Sequence, residues 1–312
     1  MLQQTQVATV LHFYPQFLAK FPTVDALAKA PLDDVLALWS GMGYYTRARN
    51  LHRAANQVMQ DFGGEFPKTA EQLEQLVGVG RSTAAAIAAF CYGERVAILD
   101  GNVKRVLARV LAFNGDLAKT SEVNALWDKA MELLPTKNLK SSMPAYTQAL
   151  MDMGATLCHV RSPDCISCPV ASSCEANTHN AYEAYPVKTK KLKRSTESIW
   201  LLHATNAKGE VLLQKRPMDA VSKIWAGLYS LPPFESEAAL LAALPQSAYQ
   251  NMIFSPALKH ALTHKDLWLH TAQVALPSAI KLTRLGSWYP YAAALAFGLP
   301  APIRKILENH TH

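Results

Sequence analysis

The 312-residue sequence has no run of eighteen apolar residues, so nothing in it reads as a membrane-spanning helix. Its opening, MLQQTQVATV, lacks both the basic stretch and the apolar stretch of a secretion signal. Cysteine is scarce, five in all, and four of the five crowd between positions 158 and 174. That pattern argues against a disulfide scaffold and reads as a metal site. Charged residues are only 18% of the chain against 50% hydrophobic, which excludes wholesale disorder. These absences predict a soluble, cytoplasmic protein with room for two domains and no membrane partner.

Excess charge of one sign is also small. The net charge of +7 admits a polyanionic partner without demonstrating one. Residues 1–174 hold 16 basic and 15 acidic side chains, whereas Lys188, Lys190, Lys191, Lys193 and Arg194 put five positive charges into one short stretch. Nucleic-acid binding by the first half must therefore come from placement of its cations rather than from their number.

Up to about residue 156 apolar residues recur at three- and four-residue intervals, which predicts helices such as Val24–Ala30, Leu32–Trp39 and Arg47–Met59. Thr69 followed by Gln72 fits a capping box, with Leu73 and Leu76 as the inner face. Beyond a proline and a like-charge run at 186–197 the texture changes. Ser198–His203 and Val211–Gln214 flank a turn at Asn206–Gly209 and predict a hairpin, and Trp268–Leu276 predicts another strand. Leu240, Leu241 and Leu244 mark a short helix, and Ala301-Pro302-Ile303 opens a last one. The reading is an all-α domain at 1–185, a basic linker at 186–197 and an α+β domain at 198–312.

Three constellations carry chemistry. Cys158, Cys165, Cys168 and Cys174 can close around one centre, and their spacing leaves zinc and a [4Fe-4S] cube both open. Pro163 and Pro169 keep that loop, 158–174, from becoming helix. Cys91, in a helical stretch, reads as a core thiol. Gly78 and Gly80, with Arg81, Ser82 and Thr83 behind them, suit a tight turn of positive φ that aims amides at a phosphate; an ordinary turn between helices is the plainer alternative. Asp100 stands just ahead of a helix whose face is traced by Val103, Val106, Leu107, Val110 and Leu111. From spacing alone it reads as a helix cap rather than as a carboxylate aimed into a cleft.

Taken together, the hairpin, the LDGNVKRVLAR stretch and the four-cysteine loop resemble the helix-hairpin-helix DNA glycosylases in order and spacing. Within them, MLQQTQV, LWSGMGYYTRARNLH and WAGLYSLP look like the A/G-specific adenine-DNA glycosylases of the MutY type. The resemblance covers nearly the whole chain. It implies an all-α helix-hairpin-helix domain with a [4Fe-4S] cluster on the four cysteines, joined to a Nudix-like domain. It implies a monomer acting on nucleoid DNA, excising adenine from 8-oxoguanine:adenine or guanine:adenine mispairs in base-excision repair. Asp100 takes the place of the aspartate that stabilises the positive sugar. Leu2, Gln3, Gln4 and Thr5 match the stretch that enters the duplex, and Tyr44 matches the aromatic that wedges beside the oxidised guanine. Thr263 and His264 match two of the three residues of the family's reading loop, while Leu262 replaces its aromatic. The 198–312 region has no Glu-rich Nudix box, so no pyrophosphatase activity is expected. Ser82 stands where lyase relatives carry a Schiff-base lysine, favouring hydrolysis by water over strand cleavage. Lys104, like Gly78, Gly80 and Ser82, is placed at the DNA, best as a phosphate contact. Of Arg47 and Arg49, two apart on one helix, one is expected to reach phosphate and the other to be solvated.

The family's general-acid glutamate lies two residues before the methionine at which this sequence starts, and the first acidic residue here is Asp25. A start assigned at an internal methionine is the favoured explanation, because the remaining motifs are intact from residue 1; a truncated lesion-binding relative is the alternative, with a thymine-glycol-type glycosylase/lyase third and disfavoured by Ser82. Losing a family helix should also uncover apolar surface. General-acid catalysis is worth roughly 10²- to 10⁴-fold. The polypeptide as written is therefore expected to bind 8-oxoguanine:adenine duplexes and release adenine very slowly. Normal turnover by the 312-residue chain in an oligonucleotide excision assay would refute this.

Overall fold

Helices α1 (Val7–Lys20), α2 (Val24–Lys29), α3 (Leu32–Leu38) and α4 (Thr46–Asp61) open the chain, and α5 (Ala70–Glu74), α6 (Arg81–Tyr92), α7 (Gly101–Val110), α8 (Thr120–Glu132), α9 (Leu139–Thr156) and α10 (Glu175–Thr178) follow. Then come β1 (Ser195–Asn206), β2 (Val211–Lys215), β3 (Tyr229–Ser230), β4 (Pro233–Phe234), α11 (Glu237–Ala242), β5 (Ile253–Phe254), β6 (Leu258–Ala261), β7 (Lys265–Leu276), β8 (Ser287–Tyr289), α12 (Tyr291–Ala296) and α13 (Ala301–Glu308). The structure, a computed structural model, describes residues 1–189, 193–218, 224–277 and 282–310. No described helix is long and apolar enough to cross a membrane. The helical first part and the mixed second part agree with the sequence reading. The compact units, however, are not consecutive: Met1–Met59 groups with Leu192–His312, and Gln60–Lys191 forms the other unit.

In the Gln60–Lys191 unit, Thr69 starts α5 by accepting the Gln72 N–H at 3.3 Å, and the Glu94 carboxylate takes the Ala70 N–H at 2.7 Å. The α6 helix ends at Gly93, which is left-handed at φ 68°; a Cβ there would sit 2.8 Å from the Lys140 backbone, so only glycine fits. The core gathers Ala85 and Ala89 of α6, Val103, Val106 and Leu107 of α7, Leu126 and Trp127 of α8, and Met143 and Leu150 of α9. Cys91 is not part of it. The buried positions of α6 are Ala84, Ala85, Ala88 and Ala89, and Cys91 lies in the last turn of that helix, exposed together with Phe90 and Tyr92.

The expected linker is taken up from both ends. Asp116 accepts the Thr189 hydroxyl at 2.6 Å and its N–H at 3.1 Å, Leu117 donates to the Val187 carbonyl at 2.9 Å, and Ser195–Glu197 already belong to β1. Lys190, Lys191 and Leu192 lie outside the described residues.

In the other unit the sheet runs β3-β2-β1-β7-β5, with β1 and β7 paired in parallel from Ser195↔Lys265 to Asn206↔Leu276. The predicted hairpin is β1–β2. Alternate residues separate two cores, as the period of two requires. Ile199, Leu201, Leu213, Leu267 and Leu269 pack with Phe17, Leu36 and Trp39 from the first three helices and with Ile303 of α13. Leu202, Ala204, Leu212, Ala272 and Val274 pack under Leu240 of α11. Residues 1–59 are tied to this sheet by buried polar contacts: Ser40 Oγ donates to the Leu299 carbonyl at 2.9 Å, Tyr45 Oη donates to the same carbonyl at 2.9 Å, and Arg304 donates to Ser40 Oγ at 3.1 Å. On the solvent side of α1, Val7, Leu11, Tyr14 and Leu18 are exposed.

His203 on β1 is 2% exposed, its Nε2 lies 2.7 Å from Tyr291 Oη, and its ring stacks on His310 at 4.3 Å. Its Nδ1 has no hydrogen-bond partner. Burial, with the His310 charge behind it, lowers its pKa from 6.5 to about 3. The unfolded chain therefore takes up this proton below pH 6.5 while the folded chain resists it down to about pH 3, so stability falls as pH drops through that window. Denaturant unfolding at pH 5 should show about 2 kcal/mol less stability from this group than at pH 7, and His203→Gln should remove that component.

Candidate functional site

The two-glycine turn is built as the sequence suggests at one glycine and differently at the other. Gly78 is left-handed at φ 82°. Gly80 has φ −91° because it is the N-cap of α6, where extended backbone is required; no side chain caps this end and a Cβ there would meet nothing within 4 Å. The result is an open helix N-terminus that a phosphate oxygen can approach. Two contacts anchor it. The Arg81 guanidinium lies over the Trp127 ring at 4.0 Å, and Ser82 Oγ accepts the Leu99 N–H at 3.0 Å.

That second bond brings the turn helix against the residue just before Asp100. Asp100 is the N-cap of α7: its Oδ1 accepts the Val103 N–H at 2.8 Å and its carbonyl accepts the Lys104 N–H at 2.9 Å. The carboxylate is half-buried at the positive end of the α7 dipole, with no other acid in the first turn. Cap and functional carboxylate are therefore compatible, since capping engages Oδ1 and the group has a second oxygen. Lys104 is half-buried beside it on α7.

Sequence reasoning missed two residues of the same helix. Arg105 and Arg109 are buried, although arginine rarely is unless paired. Arg105 donates to the Cys158 carbonyl at 2.7 Å, the Gly154 carbonyl at 2.6 Å and Asn102 Oδ1 at 3.0 Å. Arg109 donates to the carbonyls of Tyr182, Tyr185, His159 and Val160 and lies 3.3 Å from Cys158 Sγ. The signal was available: two arginines four apart on α7, on the side away from the Val103, Val106 and Leu107 face, in a chain with a four-cysteine loop.

The cysteine loop wraps one cavity, lined by Cys158, Cys165, Cys168 and Cys174 together with Val106, Arg109 and Tyr182. Asp164 organises it by accepting the Ser167 N–H at 3.2 Å, and Cys158 N–H donates to Met153 O at 2.7 Å. Burial pushes the Cys165 thiol up, and the charges of Cys174, Cys158 and Cys168 add to the shift. Among the described residues no three His, Cys, Asp or Glu converge closely enough to hold a single metal ion. Four thiols lining one apolar cavity, with an arginine beside one sulfur, are a donor set of the kind that iron–sulfur groups use.

The other predicted residues gather in the Met1–Met59 and Leu192–His312 unit. Gln4 and Tyr44 both carry positive φ, at 57° and 49°, and each turns the chain sharply. Between them stands Arg47, which donates to the Met1 carbonyl at 2.6 Å, the Gln3 carbonyl, Thr5 Oγ1 at 2.8 Å and the Gly43 carbonyl at 3.4 Å. Its guanidinium lies 5.1 Å from the Tyr44 ring centroid and 5.5 Å from that of Trp39. Tyr45 is buried, but Tyr44 is 48% exposed, so the aromatic pair splits into a packing residue and a presented one. Tyr44 Oη is 3.3 Å from Thr263 Oγ1. Thr263 and His264 form the exposed turn between β6 and β7, closed by Leu262 N–H donating to the Lys265 carbonyl at 2.8 Å. Leu262 itself packs toward the core. Of Arg47 and Arg49, expected to place one on phosphate and the other in solvent, neither is turned to solvent: Arg49 donates to the Ala226 carbonyl at 2.8 Å and Thr46 Oγ1 at 2.8 Å, and burial lowers the pKa of both. Leu2, Gln3, Gln4 and Thr5 form a turn ahead of α1, with Leu2 exposed.

Comparison with known proteins bears on both groups of residues. Residues 1–132 match the HhH-GPD superfamily of base excision DNA repair proteins, and residues 200–309 match the NUDIX domain. The adenine DNA glycosylase of Buchnera aphidicola subsp. Baizongia pistaciae is 34% identical over 321 residues, spanning 99% of this chain and 87% of that protein. The human adenine DNA glycosylase is 45% identical over 177 residues, 56% of this chain and 32% of that protein. An Arabidopsis thaliana relative of the same name is 34% identical over 74% of this chain and 41% of its own length. With a glycosylase domain, a Nudix-like domain and near full-length similarity to the Buchnera relative, the chain belongs to the adenine DNA glycosylase family of base excision repair enzymes.

Proposed function

We propose that this glycosylase hydrolyses the N-glycosidic bond of adenine mispaired with 8-oxoguanine or guanine, with Asp100 as the carboxylate that faces the sugar. The observation that carries this reading is the Asp100 site itself: a half-buried anion fixed as the α7 N-cap and tied, through Leu99 and Ser82, to the phosphate-ready turn. The target nucleotide must leave the stack for a pocket, and the open N-terminus at Gly80, with Lys104 as a further cation, suits the backbone of an extruded nucleotide. As the bond to the base breaks, positive charge develops on the deoxyribose. A preorganised anion lowers that barrier because it needs no reorientation at the moment of reaction. Ser82, a hydroxyl occupied with a backbone amide, offers no amine nucleophile, which supports release of the base by water without strand cleavage. Leu2–Thr5, Tyr44, Thr263 and His264 form the surface that reads the opposite base. The enzyme acts as a monomer on nucleoid DNA in the cytoplasm.

A [4Fe-4S] cluster held by Cys158, Cys165, Cys168 and Cys174 would supply a rigid, charged scaffold for the loop 158–174. Arg105 and Arg109 hold that loop onto α7, so the helix that carries Asp100 also carries the loop.

Two measurements test the reading. On duplexes with adenine opposite 8-oxoguanine or guanine, product should be free adenine without nicking, and Asp100→Asn should lower the single-turnover rate by about 10²- to 10³-fold, as expected for one electrostatic stabiliser. An unchanged rate would remove Asp100 from the chemistry. Anaerobically purified protein should be brown, with iron and inorganic sulfide in equal amounts, and Cys165→Ser should bleach it and loosen DNA binding. Zinc in place of iron would defeat the cluster assignment.

A further inference from the structure

Apart from a buried Nε that has no hydrogen-bond partner, the Arg47 guanidinium is engaged by contacts that no phosphate role requires. Its guanidinium donates to the carbonyls of Met1, Gln3 and Gly43 and to the Thr5 hydroxyl, while its plane lies against Tyr44 and Trp39. Trp39 Nε1 donates to the same Gly43 carbonyl at 3.1 Å, closing the turn that presents Tyr44. Two segments with positive-φ residues, at Gln4 and at Tyr44, therefore converge on one side chain. Both conformations are strained for non-glycine residues and persist only where neighbours over-determine them. Tyr44 then extends the assembly to Thr263 through their hydroxyls.

We infer that Arg47 is the positioning residue of the base-reading surface, holding the 2–5 turn and Tyr44 in one register so that they engage the base opposite adenine together. Resting on the proposed reading of 8-oxoguanine, the inference assigns Arg47 no contact with DNA. Only a planar, forked cation can donate in several directions while stacking on two rings; lysine keeps the charge and the stem, but its three donors radiate from one nitrogen and it has no plane to stack. A phosphate contact and a positioning role make opposite predictions. Losing a phosphate contact weakens binding to every duplex alike and reduces the salt dependence. Losing a positioning residue erodes the difference between duplexes and leaves the salt dependence in place.

The test is equilibrium binding of the full chain to three duplexes, carrying 8-oxoguanine:adenine, guanine:adenine or a normal pair, across a salt series. For Arg47→Lys the preference for 8-oxoguanine:adenine over guanine:adenine should fall about tenfold, as for loss of one charge-assisted hydrogen bond, with affinity for the normal duplex and the salt slope unchanged. Thr5→Val, which removes one acceptor and leaves Arg47 in place, should move the ratio the same way by about threefold and decides the matter if Arg47→Lys does not fold. A ratio held within about twofold, or a uniform loss on all three duplexes, overturns the inference. A wild-type chain with no preference for the oxidised base overturns the functional reading first, and the inference with it.

Discussion

The α7 helix is the constraint on which the Gln60–Lys191 unit depends. It has ten residues, and both ends of its chemistry are charged. At its N-terminus Asp100 satisfies an amide that would otherwise be orphaned, and so is held in place by the same bond that makes the helix begin there. On its buried face Arg105 and Arg109 carry full positive charge out of water, a change worth several kcal/mol per ion unless it is offset. The offset is a set of backbone carbonyls from the end of α9 and the cysteine loop, which have no helix or sheet partner of their own. Each side of that exchange needs the other. The loop's carbonyls are satisfied only if the arginines point inward, and the arginines tolerate burial only if the loop closes over them.

Glycine spacing sets how near these parts come. Gly154 on α9 meets Asn102 on α7 so closely that a Cβ would lie 2.7 Å from the Asn102 side chain, and the Gly154 carbonyl is one of the Arg105 acceptors. A methyl group at 154 would push α9 away from α7 just where the first turn carries the cap. Rigidity at the carboxylate thus traces to close helix packing and a filled hydrogen-bond inventory rather than to any single strong bond.

Much of this was legible in local sequence because it is local physics. Asp100 reads as a cap, Thr69 starts its helix, and the Asn206–Gly209 turn forms its hairpin, each from residues within a few positions of one another. What escaped is pairwise at long range. Arg47 and Arg49 look like surface cations by composition, yet their acceptors are the carbonyls of residues 1, 3 and 226. Cys91 follows an alanine-rich apolar run and so reads as core, but it lies in the last turn of α6, where Phe90 and Tyr92 are exposed with it. The grouping of residues 1–59 with the sheet of 195–276 depends on Ser40 and Tyr45 finding one carbonyl, Leu299, some 250 positions away. No periodicity announces such a contact.

The same distinction bears on the choice between hydrolysis and strand cleavage. An amine at position 82 would have to be desolvated and lowered in pKa to act as a nucleophile, which needs burial or a neighbouring cation. The local environment offers instead a backbone N–H, that of Leu99, aimed at the side chain. A donor in that position favours an acceptor opposite it: a hydroxyl fits, and an ammonium, which has no lone pair, does not. Serine is therefore matched to its surroundings by hydrogen-bond polarity, and a lysine placed there would have to leave the Leu99 amide unsatisfied or unprotonate to meet it. The hydroxyl that fits this donor is also the group that ties the Gly78–Gly80 turn to the Asp100 loop, so both rest on a single bond.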